Sequence, residues 1–569
     1  MKETKTIRLL ATSDVHGKFL PWMYSLNMES PGSAAQLSTA IRQYRTENTL
    51  LVEAGDLIEG NSSELFLDDP VHPMVQAYNR MNYDLWVTGN HEYTFGMEIL
   101  KKTIADLHAE CLTGNVFFPD GTPLAKGYTI REINGIRAAV IGMTSPNINR
   151  WEKKNMDGCT ATDALAETRK ILEEIRGRYD VLIGVFHEGL ENECNTENTG
   201  VTDICNACPE FDIMVSAHEH RAIPELYINN VLVIQNSSDG RTMSCIDLSF
   251  EQEDGRWRLT GRKPELIDVC KFEPDPELVQ LFEPYHIRAK DNAESQVGTL
   301  VGGPLTPPDE INGVAQALLE PTPLIDLINR VQMYYGGTEI SAAALGHLTA
   351  KLPEGIIREC DLTRIYAFTN TLCRVSLTGA QMKRFMEYSA EFFNKFQPGD
   401  LTISFNPAFQ YYLYMMFAGV NYEINISAEP GSRIEHLTYP DGRPVNDTDV
   451  LHLAVSEYCA GACLLTYGTI FHEGEELPIL EESGIHSELG CIREMLKEYI
   501  MNVRHGVLEP VKPNNWKLTG YSWDSSLRNR AVQALNRKNP VPSGLRRPEL
   551  PSCAMREEDL PPEEREEQK

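Results

Sequence analysis

A chain of 569 residues is too long for one hydrophobic core, because cores stop growing near ~250 to 300 residues, so two large domains are expected. Its 42% hydrophobic content is spread without a long apolar run, which excludes a membrane span and an unfolded chain. A net charge of −30 excludes a broad nucleic-acid-binding surface, and leaves bound divalent cations as the means of attracting a small phosphorylated substrate.

The first six residues lead straight into a strand pattern with no apolar leader core. The chain as written is therefore expected in the cytoplasm, or exported or at the cell surface if a leader has been trimmed. Thirteen cysteines, an odd number without framework spacing, fit reduced thiols. Up to about residue 262 the chain repeats one theme: a β-branched or apolar run, a polar cluster, then a helix-compatible segment, which is the alternation of an α/β fold. The runs are residues 7–12, 49–54, 85–88, 136–142, 181–186, 213–217 and 231–235, and helices are expected over 34–45, 98–107 and 164–176. From Gly261 the character changes. Residues 263–310 read as an interdomain helix over 277–291 and a Gly/Pro-rich linker over 302–308. Residues 311–537 mix helices (324–335, 379–393) with strands (372–377, 421–426, 450–455) and read as an α+β domain. Residues 538–569, rich in Pro, Glu and Arg, read as a disordered tail.

The hard and borderline metal ligands fall just past the C-terminal ends of these runs. Asp14 and His16 follow the first run, Asp56 the second, Asn90 and His91 the third, His187 the fifth, and His218 and His220 the sixth. Strand ends converge on a crevice at that edge of an open α/β sheet. Taken singly, the aspartates read as helix caps, the glycines Gly17, Gly55 and Gly89 as tight turns, and His187 as a core histidine. Five placements on one edge argue for a site. Carboxylate, imidazole and amide oxygen together suit Zn, Mn, Fe or Co rather than a thiolate site or a calcium cage. The ligand count fits two ions better than one, with Asp56 as the bridging candidate. Cys205 and Cys208, with Cys194 upstream, lack a second pair at structural-zinc spacing.

Asp14-Val15-His16-Gly17, Gly55-Asp56, Gly89-Asn90-His91-Glu92, the lone His187 and His218-Glu219-His220 resemble the five blocks of the calcineurin-like metallophosphoesterases, in the order and spacing of the 5'-nucleotidase family. The resemblance implies a four-layer α/β/β/α sandwich over residues 1–262, followed by a C-terminal substrate-recognition domain. It implies that Asp14, His16, Asp56 and His220 hold one metal, that Asp56, Asn90, His187 and His218 hold the other, and that His91 is the catalytic histidine. The 5' branch carries Asp three residues after this histidine, whereas Thr94 stands here. The 2',3'-cyclic-nucleotide phosphodiesterase branch with 3'-nucleotidase activity also lacks that Asp. Gly55-Asp56-Leu57-Ile58-Glu59-Gly60-Asn61, His72-Pro73 and Trp151 after Thr144-Ser145-Pro146 are similar to the same branch.

In the second domain, Tyr366-Ala367-Phe368-Thr369-Asn370-Thr371-Leu372 resembles the block whose aromatic stacks on the base. That makes Phe368 and Asn370 base-site candidates, with Tyr458 as the second stacking aromatic. The Arg of the family's Gly-Gly-x-Arg phosphate grip is replaced in Gly336-Gly337-Thr338-Glu339, which speaks against a 5'-monophosphate. The expected enzyme is a two-metal hydrolase of 2',3'-cyclic and 3'-phosphorylated nucleotides. The alternatives are a 5'-nucleotidase or nucleotide-sugar hydrolase, and a nucleotide-binding protein with a degenerate phosphatase domain. The expected partner is a small nucleotide, without nucleic acid and without a membrane span.

Overall fold

The computed structural model describes residues 3–191, 199–539 and 549–561, and the chain divides into two compact units, Met1–Asp291 and Asn292–Lys569. All seven apolar runs of the first unit are strands, and among its described residues there are two six-stranded sheets. The first sheet is built on β1 (Thr4–Thr12), β2 (Thr49–Glu53), β3 (Leu85–Trp86) and β4 (Glu110–Cys111), side by side and parallel. The second contains β5 (Tyr128–Ile133), β6 (Ile136–Thr144), β7 (Val181–His187), β8 (Ile213–Ser216), β9 (Ile223–Ile228) and β10 (Val231–Gln235). Its spatial order is β9-β10-β8-β7-β6-β5, with β6, β7, β8 and β10 parallel. A long hairpin of β11 (Thr242–Glu253) and β12 (Arg256–Asp268) completes the first sheet, β11 running antiparallel to β1. The change of character at Gly261 thus falls inside a strand, beside a register shift in this hairpin.

The strands read as near-continuous apolar runs because both faces are covered. Leu9, Ala11, Leu50, Val52 and Val87 of the first sheet pack against Val140, Ile183, Val185, Val215 and Ile234 of the second, all essentially inaccessible. The helices α1 (Ala34–Tyr44), α2 (Pro73–Met81) and α3 (Gly96–Asp106) accompany the first sheet, and α1 touches β11. On the far side of the second sheet, α5 (Ala164–Ile175) and α6 (Val201–Ala207) bury Ile171, Ile175 and Ile204 against Ile141 and Met214. The short α4 (Ile148–Trp151) lies between β6 and α5 in the chain. This is the α/β/β/α order expected. Caps set the helix starts: the Ser33 hydroxyl accepts from the Gln36 N–H and the Asp163 carboxylate from the Ala166 N–H.

Helix α7 (Pro276–Glu294) follows the hairpin and packs Phe282 on Phe19, with the Tyr24 hydroxyl 2.8 Å from His286 Nδ1. In the second unit, α8 (Pro323–Gly336) lies against a five-stranded mixed sheet that includes strands Ile340–Ala343, Leu372–Thr378 and Val450–Ser456, an α+β arrangement. The Gly/Pro segment read as a linker is pinned to this unit. Leu305 is buried and its N–H donates to Leu352 O, while the Gly302 N–H donates to Glu354 Oε1. Residues 549–561, read as part of a tail without a core, run beside 401–405: the Leu401 N–H donates to Met555 O and the Phe405 N–H to Pro551 O. Arg556 also pairs with the buried Asp400 at 3.0 Å. Backbone pairing, one buried carboxylate and Leu550, which packs on the second unit's core, supply this order. No helix of the described residues is long and apolar enough to cross a membrane.

Candidate active site

The ligand candidates come from both sheets of the first unit rather than from one edge. The loops after β1, β2 and β3 supply Asp14, His16, Asp56, Asn90 and His91, and those at the ends of β7 and β8 supply His187, His218 and His220. Register brings them level: Thr12 pairs with Glu53, Val52 with Leu85, and Phe186 with Ser216, so the parallel strands stop at similar heights.

Two donor sets share Asp56. One ligand atom each from Asp14, His16, Asp56 and His220 lie within 4.8 Å of one another, and so do those of Asp56, His187 and His218. Asn90 joins the second set, its Oδ1 lying 3.1 Å from His187 Nε2 and 2.8 Å from His218 Nδ1. The donor atoms converge, and not all of them have complementary partners. His16 Nε2 and His220 Nε2 are 3.0 Å apart, and Asp14 Oδ2 is buried without a hydrogen-bond partner. Two imidazoles facing two carboxylates are a donor set suited to divalent cations.

The groups also act on one another electrostatically. Burial opposes the Asp56 carboxylate, but His187, His91 and His16 outweigh it and hold its pKa well below the usual range. Burial likewise opposes charge on His187 and His16. Asp56 lifts His187 to about 10, and Glu59 with Asp56 lifts His16 to about 10. Burial and the neighbouring His187 drive His218 down to about 3.

The backbone at these residues is unusual. Asp14, His16, Asp56, His218 and His220 all have φ between 49° and 75°, the left-handed region that most non-glycine residues avoid and that Asn, Asp and His enter most readily. The loops are locked by groups that the sequence reading did not single out. Buried Glu92 accepts from the N–H of Asp56 (2.8 Å), Leu57 (2.7 Å) and Gly89 (2.5 Å), tying the β2 loop to the β3 loop. Gln235 accepts from the Arg221 N–H at 3.0 Å and donates to Ser216 Oγ at 2.8 Å, holding the turn of His218 and His220. Gly55 and Gly89 abut: a Cβ on Gly89 would lie 2.2 Å from Asp56 Oδ1 and 2.7 Å from His187 Cε1.

His91 stands outside both donor sets. Its side chain is 32% exposed, enough to meet a substrate, and its N–H donates to Asp56 Oδ1 at 2.9 Å. Its Nδ1 has Thr94 Oγ1 at 3.4 Å and Glu59 Oε2 at 3.6 Å. Trp151 stacks on His218 with ring centroids 5.2 Å apart and planes 17° from parallel.

In the second unit, Phe368, Asn370 and Tyr458 line one cavity of about 260 Å³. Tyr412, missed in the sequence, makes edge contacts with both aromatics, 6.0 Å from Phe368 and 6.2 Å from Tyr458. Gly337 is the left-handed C-cap of α8, its N–H donating to Met333 O. The Gly-Gly pair here therefore ends a helix. Cys205 and Cys208 are buried in the apolar layer with Phe211, and Cys194 lies outside the described residues.

Residues 7–222 match the family model for calcineurin-like phosphoesterase, and residues 301–465 match that for the 5'-nucleotidase C-terminal domain. The chain is 25% identical, over 92% of its length and 89% of the relative's, to the 2',3'-cyclic-nucleotide 2'-phosphodiesterase/3'-nucleotidase of Haemophilus influenzae. It is 24% identical over 92% of its length to the trifunctional nucleotide phosphoesterase protein YfkN of Bacillus subtilis, but spans 40% of that longer protein. In shape it matches a Staphylococcus aureus chain crystallised in complex with alpha-ketoglutarate, at TM-score 0.73 and 21% identity, covering 90% of this chain and 100% of that one.

Proposed function

Because this chain joins a calcineurin-like phosphoesterase domain to a 5'-nucleotidase C-terminal domain, we propose that it is a two-metal hydrolase of nucleotide phosphoesters acting on 2',3'-cyclic and 3'-phosphorylated nucleotides. The observation that carries the two-metal reading is Asp56, common to both donor sets. Asp14, His16, Asp56 and His220 would hold one ion, and Asp56, Asn90, His187 and His218 the other. Two divalent ions drawn from Mn, Zn, Fe or Co would supply Lewis acidity toward the phosphoryl oxygens and make water acidic enough to react near neutral pH.

The protein's own side chains do the rest. His91, close to both sets but needed by neither, donates to charge developing on the phosphoryl group, as a preorganised imidazole can in a partly dry site. Phe368 and Tyr458 stack on the base, with Asn370 as the polar contact beside them. Two features favour cyclic and 3' esters over 5'-monophosphates: Thr94 replaces a charged partner for His91, and Gly336-Gly337 caps a helix without an adjacent Arg. The Haemophilus relative carries the same activity in its name.

The test is release of product from 2',3'-cyclic AMP, 3'-AMP and 5'-AMP by protein of known Mn or Co content. Preference for 5'-AMP would overturn the substrate assignment, and inactivity of fully metallated protein would favour a binding protein with a degenerate phosphatase domain. Asp56→Asn is expected to lose bound metal, measured by elemental analysis, and nearly all turnover. Retention of both would sink the two-metal reading.

A further inference from the structure

The His91 imidazole lacks the Asp three residues on, yet it is not without a carboxylate. Thr94 Oγ1 lies 3.4 Å from His91 Nδ1 and 3.3 Å from Glu152 Oε1. A threonine hydroxyl has one proton to give, and an ionised carboxylate only accepts. The chain therefore has one self-consistent polarity: Nδ1–H of His91 donates to Oγ1 of Thr94, and Oγ1–H donates to Oε1 of Glu152. Glu152 is fixed in turn. Its Oε2 accepts from Asn155 Nδ2 at 2.8 Å, Asn155 Nδ2 also donates to Thr94 O at 3.0 Å, and the Glu152 N–H donates to Ile148 O at 2.8 Å. The turn carrying Glu152 follows α4 and is thereby stapled to the turn carrying His91, while Trp151, one residue earlier, lies on His218. Glu59 Oε2, the other carboxylate near His91 Nδ1, is also 3.4 Å from His16 Nδ1 and is shared with it.

We propose that Glu152 is the positioning residue for His91, acting through the Thr94 hydroxyl. It keeps the imidazole proton on Nδ1 and so presents Nε2 to the phosphoester, replacing a direct carboxylate by a one-hydroxyl relay from a different loop. This rests on the phosphoesterase reading and adds to it a residue that neither the motif blocks nor their spacing single out.

A double-mutant cycle tests it, using 2',3'-cyclic AMP and metal-loaded protein. Groups that orient a metal-ligating imidazole are worth about 10- to 100-fold, and a similar scale is expected for one that orients a catalytic imidazole. Glu152→Ala and Thr94→Val are each expected to lower kcat about tenfold, with KM and metal content unchanged. In a His91→Ala background neither should cost more, because their effect passes through that ring. Thr94→Asp added to Glu152→Ala should restore most of kcat by placing a carboxylate directly on Nδ1. An equal loss in both backgrounds would make the loop merely structural, and an unchanged kcat in Glu152→Ala would assign the task to Glu59. Either result, or failure of the Asp rescue, overturns the proposal. A wild-type protein inactive on every phosphoester overturns it together with the function on which it rests, whereas an active wild type with an indifferent Glu152→Ala overturns this inference alone.

Discussion

Glu53 shows how a buried carboxyl can be tied to strand geometry and not to metal. It closes β2, is fully inaccessible, and accepts on Oε2 from the Thr12 hydroxyl and from the Tyr78 hydroxyl at 3.0 Å, while Oε1 has no hydrogen-bond partner. Burial raises its pKa from 4.5 to about 8, and the two hydroxyls reduce that rise without cancelling it. Between those values the folded chain holds a proton that the unfolded chain has released, so stability falls as pH rises, by up to about 1.4 kcal/mol per pH unit from this group. Glu53→Gln cannot ionise, so its Tm should drop less than the wild type's between pH 5 and 8. Identical slopes in a calorimetric pH series would refute this. Among single residues, the ligand candidates were the most legible. Asp14, His16, Asp56, Asn90, His187, His218 and His220 are polar groups directly after apolar runs, where packing gives no reason for them. Glu92, Glu152 and Tyr412 were not legible, because each works through a contact made only when distant loops meet.

At the level of elements, the parallel strands could be read because both faces are buried, leaving unbroken apolar runs such as that of β7. Helix α2 escaped notice. It opens on Pro73 with His72 as its cap, and a Pro reads as a break until one sees that it sits in the first turn, where its missing N–H costs nothing. The division of the ligands between two sheets was equally hidden, since a strand's length and polarity do not say which sheet it joins. What lets the β2 and β3 loops of the first sheet meet His187 of the second is the lack of side chains at two glycines: Gly55 and Gly89 lie back to back under His187. Gly89→Ala would drive a methyl into Asp56 Oδ1, and overpacking of that kind costs about 1 to 3 kcal/mol. The variant should melt earlier and bind less than the full complement of metal. Full metal content at an unchanged Tm would mean that the loops have room to spare.

On the scale of the molecule, each unit has its own core, and the two donor sets that share Asp56 belong to the first, while the second has only the solvent-facing group Glu423, Glu435 and His436, where Lys517 already pairs with Glu423. Metal should therefore stabilise one unit only. At a free concentration 100 times Kd, a ligand adds about 2.7 kcal/mol to the state that binds it. Calorimetry of the whole chain should show two transitions, of which chelation lowers one and leaves the other in place. A uniform shift of both would argue against independent units. At this same scale the Gly/Pro stretch and residues 549–561 pair through their backbones with the second unit, a contribution that composition does not register.

The five left-handed ligand residues carry a historical consequence. Each non-glycine residue held there costs on the order of 1 kcal/mol, and a protein's whole stability is only about 5 to 15 kcal/mol. His220→Gly should accordingly raise the Tm of the chelated protein while weakening metal binding, and a lower Tm would show that the position is unstrained. If the strain is real, a lineage released from catalysis would gain by exchanging these residues for glycine or asparagine one at a time. Keeping Asp14, His16, Asp56, His218 and His220 together is thus what a metal-binding role would require and what stability alone would not favour.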